Sequence, residues 1–138
     1  MGSFHFYHPI EVRYADIDAQ GHVNNAKYLT YIEQARMAYL LHLKLWDGKS
    51  FMEVGTILAQ ASINYLAPIH LLQPVRVGVR VSRLGNKSLT MHYCLDDVQT
   101  GQELATGESI IVAYDYHAQT SVPIPMSWRK IITDFENI

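Results

Sequence analysis

Residues 25–46 read NAKYLTYIEQARMAYLLHLKLW, and this stretch decides the fold. Its apolar side chains recur with the 3, 4, 3, 4 spacing of one helix face, and no Gly or Pro interrupts them. Asn24 or Asn25 is suited to cap the helix start through its amide oxygen, and Gly48 stands where a helix is expected to stop. The sequence therefore predicts a long helix over residues 25–46 with one apolar face, formed by Tyr28, Leu29, Ile32, Ala35, Tyr39, Leu40 and Leu43.

On both sides of this helix the sequence predicts strands. Residues 75–81 and 89–95 alternate between apolar and polar side chains, and the turn residues at 85–87 between them predict a hairpin. Residues 4–14 are rich in aromatic and β-branched side chains, and Pro9 among them indicates an edge strand or a broken strand. The remaining predicted elements are strands over 54–66 and 103–116 and a short helix over 127–136.

The order of these elements indicates the fold class. After the first strand and the helix come about four consecutive strands joined by short connections, which predicts antiparallel pairing. A lone helix must bury its apolar face against the sheet, so we expect an α+β fold with one long helix wrapped by an antiparallel sheet. No repeat or linker divides the chain, so residues 1–138 are expected to form a single domain. The uncovered face and edges of such a sheet predict at least a dimer.

Composition excludes several classes of function. The chain has 138 residues, with 11 basic and 13 acidic side chains, and so lacks the basic surface on which nucleic-acid binding depends. Cys94 is the single cysteine and forms neither an internal disulfide nor a thiolate zinc site, which fits a reducing, cytoplasmic compartment. Residues 1–10 do not read as a signal peptide, and the apolar runs are too short to span a membrane.

The densest polar cluster is YADIDAQGHVNN at residues 14–25, between the first strand and the helix. Free N–H groups and the dipole at a helix start stabilise a developing oxyanion, and a carboxylate a few residues upstream can act as nucleophile or as base for water. Gly21 permits the tight turn that would aim both groups at one point. Asp, Asn and Gly are also ordinary turn and cap residues, and His22 alone is equally typical of a surface loop. Spacing therefore leaves a catalytic loop and a plain turn open.

A longer match surrounds this cluster. Residues 13–29 read RYADIDAQGHVNNAKYL and residues 31–36 read YIEQAR, and together they resemble the signature of hotdog-fold acyl-CoA thioesterases of the 4-hydroxybenzoyl-CoA thioesterase type. INYLAP at 63–68 and IPMSWR at 124–129 are also similar to this family, so the resemblance spans essentially the whole chain. It implies a hotdog fold, an acyl-CoA substrate, and a homodimer or dimer of dimers with its sites at the dimer interface.

The resemblance also implies roles for individual residues. Asp18 corresponds to the catalytic carboxylate, as nucleophile or general base, and the amide of Asn25 corresponds to the donor for the thioester oxygen. His22 is expected beside that site, where it orients Asp18, water or the acyl carbonyl. No cofactor or metal is expected, because the thioester is already activated. Residues expected to bind substrate are Gly21, Asn24 and Tyr28 near the acyl group and Asn86, Lys87 and Ser88 near the CoA phosphates.

The chain departs from the family pattern at one place. Many relatives carry Gly-Asp just before the strand that here begins at Pro74, whereas this chain has Leu71-Leu72-Gln73. The missing acidic group indicates a reshaped rim. Two other functions stay open: a non-catalytic acyl-CoA-binding module, and a hydratase or dehydratase, for which we find no second acid/base motif.

Overall fold

The computed structural model describes residues 3–50, 52 and 55–138. A 3₁₀ turn at Tyr14–Asp16 precedes the long helix. The strand predicted over 54–66 starts at Val54, which lies outside the described residues, as do Met1 and Gly2 of the segment 1–10. The elements are β1 (Tyr7–Ile10), α1 (Asn25–His42), β2 (Thr56–Tyr65), β3 (Val75–Leu84), β4 (Ser88–Asp97), β5 (Glu103–Asp115), β6 (Thr120–Ser121) and α2 (Met126–Glu136).

The strands form one antiparallel sheet in the order β1-β3-β4-β5-β2, with the short β6 added to β5. The predicted hairpin is confirmed as β3–β4, and β1 occupies a sheet edge, as Pro9 indicates. The valines at alternate positions of β3 are buried in the same core as the apolar face of α1. The predicted α+β arrangement of one long helix on an antiparallel sheet is therefore confirmed.

The connection between β2 and β3 is not the short link between neighbouring strands that the sequence analysis expects. β2 pairs with β5, at the opposite side of the sheet from β3. The N–H groups of Leu66 and Ala67 both donate to the carbonyl of Leu104, so the chain leaves β2 alongside β5. Pro68 and Pro74 have no N–H with which to close a hairpin, and Ile69 between them is fully buried. The segment 66–74 is thus a crossover between the two halves of the sheet.

Helix α1 begins as predicted. Asn24 caps it, because its Oδ1 accepts a hydrogen bond from the N–H of Ala26 at 2.9 Å. The buried face differs from the predicted one at its second turn. Tyr31 is buried, whereas Leu29 is 42% exposed. The hydroxyl of Tyr31 donates a hydrogen bond to a buried carboxylate, that of Asp16, on the loop before the helix. This hydrogen bond turns the buried face of the helix towards β1.

The end of α1 differs from the prediction. The helix stops at His42, and Lys44 then adopts a left-handed φ of 59°. The N–H of Lys44 donates to Leu41 and the N–H of Leu45 donates to Leu40, which is a Schellman motif. Glycine usually occupies the left-handed position of this motif. Because a Lys stands there, the sequence does not indicate that the helix ends at this point. Gly48 belongs to a later turn.

Helix α2, predicted over 127–136, is confirmed and is attached to the sheet by a buried carboxylate. Glu136 Oε2 accepts hydrogen bonds from the Tyr39 hydroxyl at 2.6 Å and from the Val81 N–H at 3.0 Å. On the same edge of β3, the N–H of Val79 donates to the carbonyl of Phe6. Glu136 therefore replaces the strand that would otherwise pair with Val81.

We predict that Glu136→Ala lowers the free energy of unfolding by about 3 kcal/mol, because the substitution leaves a buried hydroxyl and a buried N–H without an acceptor. Asp134 lies on the same helix and pairs with Lys130 in an exposed ion pair. Asp134→Ala is the matched control and should cost less than about 0.5 kcal/mol. Urea unfolding measures both, and equal costs for the two variants would contradict the anchoring role of Glu136.

Candidate active site

The loop between β1 and α1 is anchored on Asp16, which is only 1% exposed. Its Oδ2 accepts hydrogen bonds from the Tyr31 hydroxyl at 2.7 Å and from the Arg13 N–H at 3.0 Å. Its carbonyl accepts from the Asn24 N–H at 2.8 Å. Burial alone would raise the pKa of Asp16, but the hydrogen bonds from Tyr31 and Arg13 outweigh burial and hold that pKa below its ordinary value. Asp16 therefore ties α1 to the 3₁₀ turn that precedes it and to Arg13 before that turn.

Asp18, two residues further on, is half-buried and lies in a tight turn. Its N–H donates to the carbonyl of His22 at 2.9 Å, and its carbonyl accepts from the N–H of Gly21 at 3.0 Å. Gly21 has a φ of 83°, which is the conformational freedom that the sequence analysis requires of it. Asp18 Oδ1 accepts from the N–H of Gln20 at 2.9 Å, and no described residue is hydrogen-bonded to Oδ2. One carboxylate oxygen is thus fixed and the other is available.

The start of α1 presents one free backbone donor. The Asn24 side chain is used in capping, whereas no described residue accepts a hydrogen bond from the N–H of Asn25. The carbonyl of Asn25 accepts from the Tyr65 hydroxyl at 3.1 Å, which fixes the peptide at the helix start. A helix N-terminus with an unused N–H favours an oxygen that carries negative charge.

An open cleft of about 500 Å³ lies between this loop and the end of β2. It brings together four of the predicted site residues, whereas Gly21 and Asn24 belong to the same loop without lining the cleft. The predicted residues that line it are Asp18, His22, Asn25 and Tyr28, and they are joined by Gln20, Val23, Tyr65, Leu66, Ala67 and Pro68.

The sequence did not predict that the wall opposite the loop is part of a site. Tyr28 and Tyr65 pack edge to face with ring centroids 4.9 Å apart, and the Tyr28 hydroxyl donates to the carbonyl of Ala67. Burial raises the pKa of Tyr28, which therefore stays neutral. Tyr65 lies within the INYLAP run. Nothing in the sequence of that run indicates that it lies beside the start of α1 in the folded chain.

The hairpin at Asn86, Lys87 and Ser88 lies at the other end of the sheet. Ser88 is opposite Val112 on β5, whereas Tyr65 beside the cleft is opposite Ala105. Seven residues of strand separate these positions, or roughly 23 Å at 3.3 Å per residue. Lys87 is exposed, and the backbone of the hairpin is held by bonds from Ala113 and Ile124. Within one chain the structure does not bring this hairpin to the cleft.

Two absences concern the described residues alone. In the described part of the chain, no group of three or more His, Cys, Asp or Glu side chains is arranged to hold a metal ion. None of the described helices has the length and apolar character needed to cross a membrane.

Comparisons with known proteins agree on one family. Residues 12–132 match the model of the thioesterase-like superfamily. An uncharacterised protein of Bacillus subtilis, YsmA, is 31% identical over 110 residues, covering 80% of this chain and 73% of that protein. The long-chain acyl-CoA thioesterase FadM of Escherichia coli is 25% identical over 121 residues, covering 88% and 92% of the two chains. A Thermus thermophilus thioesterase solved with coenzyme A and zinc is 33% identical, with a TM-score of 0.87 over 100% of this chain and 99% of that one.

We predict that Asp16→Asn destabilises the fold by about 1–3 kcal/mol at neutral pH, because a neutral amide is a weaker acceptor for Tyr31 and Arg13. A lowered folded pKa means that this contribution is present above the ordinary carboxyl pKa and is lost as pH falls through the folded pKa. The difference in stability between the wild type and the variant should therefore shrink below about pH 4. Thermal unfolding across pH measures this, and a difference independent of pH would contradict it.

Proposed function

The chain belongs to the thioesterase-like superfamily and is a thioester hydrolase, and we propose that it hydrolyses an acyl-CoA to a carboxylic acid and coenzyme A with Asp18 as its catalytic carboxylate. FadM, similar along most of its length, acts on long-chain acyl-CoA, and the Thermus thermophilus thioesterase was solved with coenzyme A bound. Both support a CoA thioester as the substrate. The fold of this chain is the hotdog fold that the resemblance implies.

One observation carries the proposal. The available oxygen of Asp18 and the unused N–H of Asn25 belong to residues that line the same cleft. A thioester carbonyl that accepts a hydrogen bond from Asn25 would present its carbon to Asp18, and the partial positive charge at the helix start would stabilise the oxyanion.

The reaction proceeds by one of two routes. In the first, Asp18 takes a proton from water, the hydroxide attacks the carbonyl carbon, and the C–S bond breaks with release of the CoA thiolate. In the second, an Asp18 oxygen attacks the carbonyl and expels the thiolate, and water then hydrolyses the acyl-aspartyl anhydride. His22, on the same wall of the cleft, orients the attacking water or the carbonyl. Neither route needs a metal, because a thiolate is a good leaving group.

We predict that Asp18→Asn lowers kcat by at least ~10²-fold with the fold intact, which is the lower range for losing a general base. The amide retains an oxygen for the N–H of Gln20, so the turn survives and only the charge is lost. Asp47→Asn is the matched control, since Asp47 accepts from the N–H of Lys49 in the same type of exposed turn at 2.9 Å. Thiol release is measured with short, long-chain and aromatic acyl-CoAs, 4-hydroxybenzoyl-CoA among them. Equal loss in both variants, or none in Asp18→Asn, would remove Asp18 from catalysis.

A single turnover in ¹⁸O-labelled water and trapping of a radiolabelled acyl group on Asp18 together separate the two routes. Label that enters the carboxylate of Asp18 indicates the anhydride route with attack of water on the aspartyl carbonyl. Label found in the product alone arises from activated water or from attack of water on the acyl carbonyl of the anhydride, and a trapped acyl group on Asp18 then indicates the anhydride whereas its absence indicates activated water.

We also propose that the active form contains a homodimer in which the partner supplies the CoA-binding hairpin. β2 is an edge strand whose apolar side chains are exposed, with Ile57 at 42% and Leu58 at 47%. Beside it, the Arg36 side chain is 10% exposed, yet its polar partners among the described residues are limited to a 3.4 Å hydrogen bond to Tyr93 and a 3.9 Å contact with the exposed Glu33. An uncovered edge and a buried cation with weak partners favour a second copy on this side.

The geometry of such a dimer accounts for the placement of the hairpin. Two β2 edges that pair antiparallel about a two-fold axis bring the start of one strand against the end of the other. The end of the partner's sheet that carries its hairpin then lies on the same side as the cleft. Lys87 of one chain and Asp18 of the other would serve one substrate molecule.

We predict that Lys87→Ala raises KM more than it lowers kcat. A phosphate contact remote from the carbonyl stabilises the bound substrate and the transition state equally. Co-expression of Asp18→Asn with Lys87→Ala should restore activity at low substrate, since each heterodimer then holds one intact site. Random pairing gives about a quarter of the wild-type sites. Adding Leu58→Lys to both chains should abolish the recovery and yield monomers in light scattering. Recovery that never exceeds the sum of the separate variants would contradict the shared site.

A further inference from the structure

His22 faces the candidate cleft, but none of the described hydrogen bonds orients its ring. Its backbone carbonyl accepts from Asp18, whereas neither ring nitrogen has a hydrogen-bond partner among the described residues. The contact that restrains the ring is with His70, whose ring centroid is 4.9 Å away at an interplanar angle of 81°. This edge-to-face arrangement is one of the preferred geometries of paired aromatic rings.

His70 is held on a rigid support. It lies on the crossover between β2 and β3, and the preceding carbonyl, that of Ile69, accepts a hydrogen bond from Val23 at 2.8 Å. This bond joins the crossover to the residue after His22. The rings of His22 and His70 thus project from two backbone segments that are hydrogen-bonded to each other at the neighbouring residues.

The departure Leu71-Leu72-Gln73 forms a closed turn that fixes His70 from the other side. The N–H of Gln73 donates to the carbonyl of His70 at 3.2 Å, and Gln73 Oε1 accepts from the N–H of His70 at 2.9 Å. Leu72 has a φ of 70° and is 88% exposed, so its left-handed backbone gains nothing from packing of its own side chain. A bulky residue keeps such a conformation only where the surrounding bonds impose it.

The turn is attached to the sheet through a buried carboxylate. Gln73 Nε2 donates to Asp97 Oδ2 at 3.0 Å, and Asp97 Oδ1 accepts from the N–H groups of Gln99 and Thr100. The hydrogen bond from Gln73, with those from the following turn, holds the pKa of Asp97 below its ordinary value. Asp97 therefore supports the backbone of His70 through the side chain of Gln73.

We propose that His70 is a positioning residue that fixes the ring of His22 towards the cleft, with Gln73 and Asp97 as its support. The inference rests on the function proposed above, since it assigns His22 an oriented role beside Asp18. Loss of the His70 ring frees His22 to adopt other rotamers and leaves the cleft walls and the hairpin intact. Misplacement of a catalytic group lowers kcat far more than it alters ground-state binding.

His70→Ala tests this inference, and His70→Phe and Leu71→Ala are its matched variants. We expect His70→Ala to lower kcat ~10-fold with KM changed less than about twofold, and His70→Phe, which keeps an aromatic ring, to recover most of kcat. Leu71→Ala changes an exposed neighbour in the same turn and should leave both constants as in the wild type. Unchanged kcat in His70→Ala, or no recovery in His70→Phe, would overturn the proposal.

NMR of the His22 ring gives a readout that does not depend on activity. In protein labelled at histidine, the ring signals assigned with a His22→Gln variant should shift and broaden in His70→Ala, but not in Leu71→Ala. If they stay unchanged while Asp18→Asn is inactive, His70 has no positioning role and the proposed function stands. If they shift while the His70→Ala enzyme keeps full kcat, the ring contact is only structural and the proposal falls.

Discussion

The hydrogen bonds made by the buried residue Asp16 determine where the loop between β1 and α1 lies. The N–H and guanidinium of Arg13 and the hydroxyl of Tyr31, in the second turn of α1, donate to its carboxylate. The backbone carbonyl of the same residue accepts from the N–H of Asn24, the cap of α1. This arrangement positions the loop wall of the cleft, because Asp18 lies two residues after Asp16 and Asn25 directly follows Asn24, whose N–H is bound to the Asp16 carbonyl. The energetic cost of burying a charge is met by three donors, which is why a carboxylate rather than an apolar side chain stands there.

The two ends of the sheet carry different structural features. One end carries the loop, the helix start and the crossover, and these surround the cleft. The other end carries the exposed hairpin with Lys87, far from the cleft of its own chain. This separation is compatible with the proposed dimer, in which opposite ends of two sheets would meet. The exposed apolar side chains of β2 lie where that meeting would take place.

Much of this architecture could be predicted because its signals are local. The face of α1, the β3–β4 hairpin and α2 follow from spacing and turn residues within each segment. The pairing of β2 with β5 could not be predicted, because strand partners far apart in the chain leave no trace in either strand. Asp16 and Asp18 illustrate the same limit at the site. They are two residues apart and chemically identical, and the side-chain partners of the buried one, Tyr31 and Arg13, become apparent only in the folded structure.

The attachment of α2 bears on how the protein is made. Glu136 follows every strand in the chain, yet it completes the edge of β3 that β1 leaves unpaired and satisfies the hydroxyl of Tyr39 in the core. During synthesis, a nascent chain that has emerged only as far as β6 holds the whole sheet but exposes this edge. It remains open to association with other partly made chains until α2 leaves the ribosome. The carboxylate at the end of α2 thus covers an edge that the earlier strands leave exposed.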